Sequence, residues 1–190
     1  MRGGDNIDPL KIDASQKMGN KILFVGRDFE RKNGPLVIEA FNLAKKEKSD
    51  LELYIAGPKN LNIHADGIVC LGDLNSEELI NYFNICDIFC MPSRFEAYGL
   101  VFPEALTFGL PCIGRDAYEM PYFIEDGVTG YLLKNQSVEE LSNLILNCIS
   151  NEKMKENVIR KRDWYIKEYS WETVVQRMQA VIEEKQQWDR

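Results

Sequence analysis

Cationic and carboxylate side chains gather at two points of this 190-residue chain, each just beyond a short apolar run. The first is Gly26-Arg-Asp-Phe-Glu-Arg-Lys-Asn-Gly34, which follows Lys21–Val25 and carries Arg27, Arg31 and Lys32 inside six positions. A strand–Gly–loop–helix unit of this kind offers phosphate binding, because the amides at a helix N-terminus point at an anion. The segment is neither G-x-G-x-x-G nor G-x-x-x-x-G-K-[ST], so it carries no dinucleotide fingerprint and no Walker loop. Its plain structural reading is a solvated charge cluster. The second point is Pro92-Ser-Arg-Phe-Glu-Ala-Tyr-Gly-Leu-Val-Phe-Pro-Glu-Ala-Leu106, with Glu96 in a Gly-containing loop and Glu104 in the first turn of a helix. Helical periodicity does not make these two glutamates neighbours. Glu104 can serve the helix dipole, worth about 0.3–1 kcal/mol, or it can accept two vicinal hydroxyls such as a ribose presents.

Elements of regular spacing must bring these points together. Lys21–Gly26 reads as a buried parallel strand, and Gly34-Pro35 opens a helix with Leu36, Ile38, Ala40, Phe41 and Ala44 on one face. Leu51–Ala56 and Ile68–Leu71 are expected strands, closed by Gly57-Pro58 and Gly72. Asn75-Ser-Glu-Glu78 forms a capping box ahead of the helix Leu79–Ile85. Ile88–Met91, Cys112–Gly114 and Gly130–Leu133 are three more strands, and Pro103 marks a helix start between the first two. Ser137-Val-Glu-Glu140 is a second capping box, for a helix reaching Ile149. Two amphipathic helices, Glu152–Glu168 and Trp171–Lys185, the latter capped by Ser170, complete the chain. The alternation predicts an α/β fold, a doubly wound parallel sheet of about six strands with helices on both faces and extra C-terminal helices. Ligands of such sheets sit beyond the carboxyl ends of the strands, which selects the loops Gly26–Gly34, Gly57–Pro58, Gly72–Leu74 and Pro92–Pro103. Residues 1–20, with Gly3, Gly4, Pro9 and Gly19, read as a linker or lead-in, and residues 21–190 as one domain.

The order of these motifs, ending in Gly109-Leu-Pro111, resembles the donor half of family-four retaining glycosyltransferases with two Rossmann-like domains. In that family the first loop reads G-R-…-K-G and the second E-x-F/Y-G-L-x-x-x-E. Glu96, Tyr98-Gly99-Leu100 and Glu104 match the second pattern, and the Asp87–Ser93 strand and the Asp126-Gly-Val-Thr-Gly130 turn match as well. The likeness extends from Lys21 to Ile182 and implies a Rossmann-like domain. It also implies that Gly26, Arg27 and Lys32 hold the diphosphate of a UDP- or GDP-sugar, and that Glu96 contacts the donor sugar beside Tyr98. The Gly99 and Leu100 amides would lie near the phosphates, Glu104 on the ribose, and Leu71–Leu74 at the base-contacting loop. Arg27, Lys32 and Glu96 form the implied catalytic set. The family usually has Lys immediately before Gly; here Asn33 intervenes, so Arg31 competes with Lys32 as the phosphate cation.

The chemistry agrees with that likeness. Cleaving a glycosyl–phosphate bond puts charge on the departing diphosphate, and one preorganised donor aimed there is typically worth about 2.7–4 kcal/mol. The chain has no D-x-D, so neither a metal nor another cofactor is expected. Acceptor binding in the family falls mainly to a preceding Rossmann-like domain, so this chain alone is expected to bind donor without transfer. Two rival readings use the same fold: a non-catalytic nucleotide-sugar-binding or interaction module, and a nucleotide-sugar epimerase or hydrolase.

Composition narrows the setting. With 45% hydrophobic and 28% charged residues the chain is an ordinary globular one, and 23 basic against 30 acidic residues leave a net charge of −7. That balance argues against non-specific nucleic-acid binding and requires any anion site to concentrate its cations locally. The odd set Cys70, Cys86, Cys90, Cys112 and Cys148 has no C-x-x-C pair, and Cys70, Cys90 and Cys112, in apolar surroundings, read as reduced core thiols of a cytoplasmic protein. The polar start Met1-Arg-Gly-Gly-Asp5 carries no expected secretion signal. His64 is placed on a surface loop. Lys153, Lys155, Arg160, Lys161, Arg162 and Lys167 read as a solvated helix face, with peripheral contact to anionic lipid as the alternative. Trp164, Trp171 and Trp188 suit packing of the terminal helices against the body or against a missing partner domain.

Overall fold

Ile22, Leu23, Phe24 and Val25 are all buried in the first strand, β1 (Lys21–Val25), as expected of a parallel strand covered by helices on both faces. The computed structural model describes residues 11–13 and 17–188, with side chains as far as residue 183. The further strands are β2 (Glu52–Ala56), β3 (Ile68–Gly72), β4 (Ile88–Cys90), β5 (Cys112–Arg115) and β6 (Gly130–Leu133). All pair in parallel, in the order β3-β2-β1-β4-β5-β6. Leu23 thus lies opposite Tyr54 on one side and Phe89 on the other. This is the six-stranded Rossmann-like sheet the alternation predicts.

The crossover helices are α1 (Gly34–Glu47), α2 (Ser76–Ile85), α3 (Val101–Thr107) and α4 (Met120–Phe123), and α5 (Val138–Ser150) follows β6. Right-handed crossovers that leave β1 in opposite directions place α1 and α3 on opposite faces. Accordingly α5 returns to pack on α1, while Phe83 of α2 stacks on Phe108 just after α3, with centroids 5.2 Å apart. The last helices are α6 (Glu152–Arg160), α7 (Arg162–Glu168) and α8 (Trp171–Trp188), of which α6 and α7 pack on α3.

Several local expectations are corrected. The buried face of α1 is Gly34, Val37, Ala40, Phe41 and Ala44, and Leu36 and Ile38 are only half-buried. The box at Asn75 is complete, with Glu78 N donating to Oδ1 at 2.9 Å and Asn75 N to the Glu78 carboxylate at 2.8 Å. The box at Ser137 is half formed: Glu140 N donates to Ser137 Oγ at 3.0 Å, but the Glu140 carboxylate accepts from Lys134 N and Asn135 N instead. The helix expected over Glu152–Glu168 divides at Lys161, where Arg162 Nε reaches back to Thr107 O at 2.9 Å and Lys161 pairs with Glu125. α4 is too short for a periodic pattern and has no counterpart in the sequence reading. Ser170 does cap α8, accepting from Thr173 N at 3.2 Å.

Four cysteines are buried and Cys70 is half-buried, all as free thiols. His64 is exposed on its loop. In the basic stretch, Lys155 and Lys161 are neutralised by Glu152 and Glu125. Trp164 and Trp171 remain about half exposed rather than packed inward, and the Trp188 side chain is outside the described residues. No described helix is long and apolar enough to cross a membrane. Of the lead-in, residues 1–10 and 14–16 lie outside the described residues; Lys11, Asp13, Lys17 and Gly19 are docked on α2 and on Asp87.

Candidate functional site

The sheet order reverses between β1 and β4, so the loops leaving these two strands diverge and open a crevice at their carboxyl ends. A cavity of about 480 Å³ occupies it, lined by Gly26, Arg27, Arg31, Lys32, Gly57, Asp73, Leu74, Leu79, Glu96, Tyr98, Gly99, Leu100 and Glu104, among others.

The β1 loop is wound by Asp28, whose carboxylate accepts from Arg31 N at 3.1 Å while its carbonyl accepts from Lys32 N at 2.9 Å. Asn33 follows in the left-handed region, with φ 63°, a conformation that asparagine tolerates better than most side chains. It is 2% exposed, donates Nδ2 to Pro92 O at 3.2 Å and accepts from Arg94 Nε at 3.2 Å. The departure from the family's Lys-Gly pattern is therefore the seam between the two loops. Arg94 N donates to Arg31 O at 2.9 Å, and Arg31 NH1 to Phe95 O at 2.8 Å. Gly26 is needed for close approach: a Cβ there would sit 2.6 Å from Lys32 Cγ, where the lysine stem crosses the loop. Gly99, with φ 68°, turns the β4 loop back over Glu96.

These supports bring together side chains far apart in sequence. Lys32 Nζ pairs with the Glu96 carboxylate, and the two side chains are only 12% and 10% exposed. Arg27 donates Nε to Asp73 Oδ1 at 2.9 Å, and Lys59 lies 3.6 Å from the same carboxylate. The hydrogen bond from Arg27 holds the Asp73 carboxyl below its usual range. Arg31 pairs with Asp28 at 3.0 Å, and Asp28 is likewise held low, first by the Arg31 backbone amide. Every cation of the cavity thus carries a carboxylate partner. Arg31 and Lys32 both line the cavity; Arg31 also braces the two loops through Phe95 O, whereas Lys32 is held by Glu96.

Glu104 is different. No hydrogen-bond or ion-pair partner approaches its carboxyl among the described residues, and burial pushes its pKa up to about 7. The Gly99 and Leu100 amides likewise donate to no group among the described residues. Tyr98 lines the cavity with its ring 6.1 Å from Phe123, edge to face. Of the expected residues only Leu71 does not line the cavity; it stays in β3, and Leu74 beyond it is at the wall. Asp28, Asn33, Asp73 and Leu79 are additions. Asp73 lies within the loop Gly72–Leu74 selected from sequence, but nothing local signals that it meets Arg27, 46 positions earlier. Among the described residues no group of three His, Cys, Asp or Glu side chains is placed to hold a metal ion.

Such a cavity can exchange internal carboxylates for an external anion and can offer one uncompensated acid to a hydroxyl-bearing ligand. Known proteins share the frame. The family model described as glycosyl transferases group 1 matches residues 10–163. Phosphatidyl-myo-inositol mannosyltransferase of Mycobacterium leprae is 24% identical over 193 residues, covering 95% of this chain and 52% of that protein. The pneumococcal O-GlcNAc transferase GtfA, solved in complex with UDP and GlcNAc, superposes with a TM-score of 0.69 at 20% identity, over 90% of this chain and 37% of that one. Anabaena Alr3699/HepE, solved in complex with UDP and glucose, superposes with a TM-score of 0.74 at 18% identity, over 93% of this chain and 53% of that one. The chain spans about half the length of the curated relatives it matches, 40% and 52% of two of them. The two structures share its fold, and the family match covers most of its length: the chain belongs to the group 1 glycosyl transferases.

Proposed function

We propose that this chain is the donor-binding half of a retaining glycosyltransferase, holding a UDP- or GDP-sugar for transfer of a hexosyl-type group to an acceptor bound mainly by another Rossmann-like domain. The observation that carries the reading is the Lys32–Glu96 pair, nearly closed to solvent, in one cavity with Glu104, whose carboxyl has no partner among the described residues. A diphosphate entering between the β1 and β4 loops draws Lys32 and Arg27 from their carboxylates. Glu96 is then free to accept hydroxyls of the donor sugar, and the idle Gly99 and Leu100 amides face the phosphates. As the glycosyl–phosphate bond breaks, charge grows on the diphosphate, where these donors are already fixed. Glu104 accepts the ribose hydroxyls. Arg31 braces the loops, and Leu74 supports the base. The absence of D-x-D from the sequence supports a cation-and-amide site that works without metal; chelator treatment should leave donor affinity unchanged. Five free thiols favour the cytoplasm as the compartment.

Calorimetry against UDP, GDP and their sugar conjugates tests the reading. Binding should appear, and Lys32→Ala should weaken it about 10- to 100-fold, as for one lost hydrogen bond to a charged group. No heat from any of these ligands at millimolar concentration ends it. The chain alone should bind donor without transfer, and robust transfer to an acceptor by these 190 residues would overturn that division of labour.

A further inference from the structure

Two exposed aromatic side chains just outside the donor cavity are held more firmly than their exposure explains. Phe95 and Tyr118 are 51% and 49% exposed, yet their rings meet edge to face with centroids 5.1 Å apart. The Phe95 carbonyl is gripped by Arg31 NH1 at 2.8 Å and by the Ser93 hydroxyl at 2.7 Å. Arg115, at the end of β5, donates to Arg94 O at 2.9 Å and lays its guanidinium 5.8 Å from the centre of the Tyr118 ring. Tyr118 itself sits in the left-handed region with φ 57°. A bulky aromatic adopts that conformation at a cost, and such strain concentrates where a side chain must be presented.

We propose that Phe95 and Tyr118 form a stacking ledge for a pyranose ring of the acceptor, so that this chain contributes to acceptor binding as well as to the donor site. The inference rests on the donor reading above for its direction. The sheet order sets the strand-end loops side by side, β2, β1, β4 and then β5. A donor with its base toward Leu74, its diphosphate at Arg27 and Lys32 and its sugar at Glu96 points along that row. Phe95 directly precedes Glu96 in the β4 loop, and Tyr118 of the β5 loop meets its ring. The chemistry also favours a sugar. An aromatic face carries negative charge density, which suits the weakly positive C–H face of a pyranose. Arg115, which lies against the Tyr118 ring, and the exposed Asp116 beside it in sequence suit the hydroxyl rim of the pyranose.

The test is aromatic-region NMR of the whole chain, with the methyl glycosides of glucose, mannose and galactose titrated to tens of millimolar, with and without UDP. At least one glycoside should shift the Phe95 and Tyr118 signals saturably. Phe95→Ala and Tyr118→Gly should each weaken that binding about ten-fold, as expected for one aromatic contact, with UDP affinity measured by calorimetry unchanged. Glycine suits φ 57°, so Tyr118→Gly should not lower the melting temperature, and Phe95→Ala gives an independent reading. Silent Phe95 and Tyr118 signals with all three glycosides overturn the proposal, as does undiminished binding in both variants. Concentration-dependent self-association through these rings, or their perturbation by lipid vesicles but not by glycosides, overturns it too. Failure of UDP to bind ends the donor reading instead, because the glycoside titration without UDP is read separately.

Discussion

Asp87 and Glu104 stand at opposite ends of β4 and show what the two ends of the sheet are for. Asp87 precedes the strand, is 2% exposed, and accepts the backbone amides of Gly19, Asn20 and Lys21 at 2.8–2.9 Å. Beside it, Lys17 donates to the carbonyls of Phe83 and Cys86; burial lowers its pKa to about 8, against the opposing pull of Asp87. That end is closed, and its charged groups have protein partners, although the Asn20 side-chain oxygen is buried without one. Glu104 lies beyond the other end of the strand, desolvated and without such a partner among the described residues, on the wall of a cavity whose cations are paired with carboxylates. A buried acid that is fully bonded helps hold a fold together, whereas one left unbonded costs stability.

The largest test of this contrast is Asp87→Ala. It strands three amide donors and should lower stability by about 4 kcal/mol in urea unfolding, while nucleotide affinity of the folded protein stays unchanged. A neutral result would break the comparison at its structural end. Glu104→Gln should act with the opposite sign. The folded pKa of about 7 lies above the ordinary 4.5, so ionising Glu104 carries a penalty that is absent below pH 4.5 and complete above pH 7. The stability of the variant relative to the parent should therefore rise between pH 4.5 and 8 by on the order of 3 kcal/mol. Equal pH dependence of the two proteins in thermal melts would mean that Glu104 is not desolvated.

Ligand linkage sharpens the same point. On the proposed reading, ribose hydroxyls donate to the ionised acid, so UDP binding should expel its proton and strengthen by up to about ten-fold per pH unit until pH 7. Glu104→Gln supplies the control for the titration of the phosphate itself: a slope that survives in the variant does not come from this residue. The smallest expected effect is on stability in Arg27→Met. The Arg27 side chain is 63% exposed in its pair with Asp73, so unfolding should not change measurably, while UDP affinity drops about ten-fold, as for one lost charge contact. A large loss of stability there would assign Arg27 to the scaffold with Asp87.

Much of the scaffold is legible in one dimension because its determinants are local. The apolar run Ile22–Val25 is buried throughout because a central parallel strand is covered on both faces, and Asn75 and Glu78 lie one helical turn apart, so their reciprocal cap is written in the spacing. Where a cap depends on more than spacing the reading falls short: the Glu140 carboxylate turns to Lys134 and Asn135, which only the end of β6 brings near. α4 is a single turn and leaves no period to detect. At the site, the residue types and their two loops were visible from the motifs. The positional partner of Arg27, the seam at Asn33 and the absence of Leu71 from the cavity wall were not.

The sequence by itself determined the alternation of strands and helices, the loops at the strand ends and the stock of cations and carboxylates in them, since each depends on neighbours within a few turns. Only the tertiary structure decided which charges meet. Lys32 and Glu96 are 64 positions apart and pair because β1 and β4 lie side by side where the sheet order reverses. It also decided that, in an acidic chain of net charge −7, the cations of the cavity are paired with carboxylates of the same chain. Charge pairing and desolvation depend on distance through space, and the folded chain sets that distance.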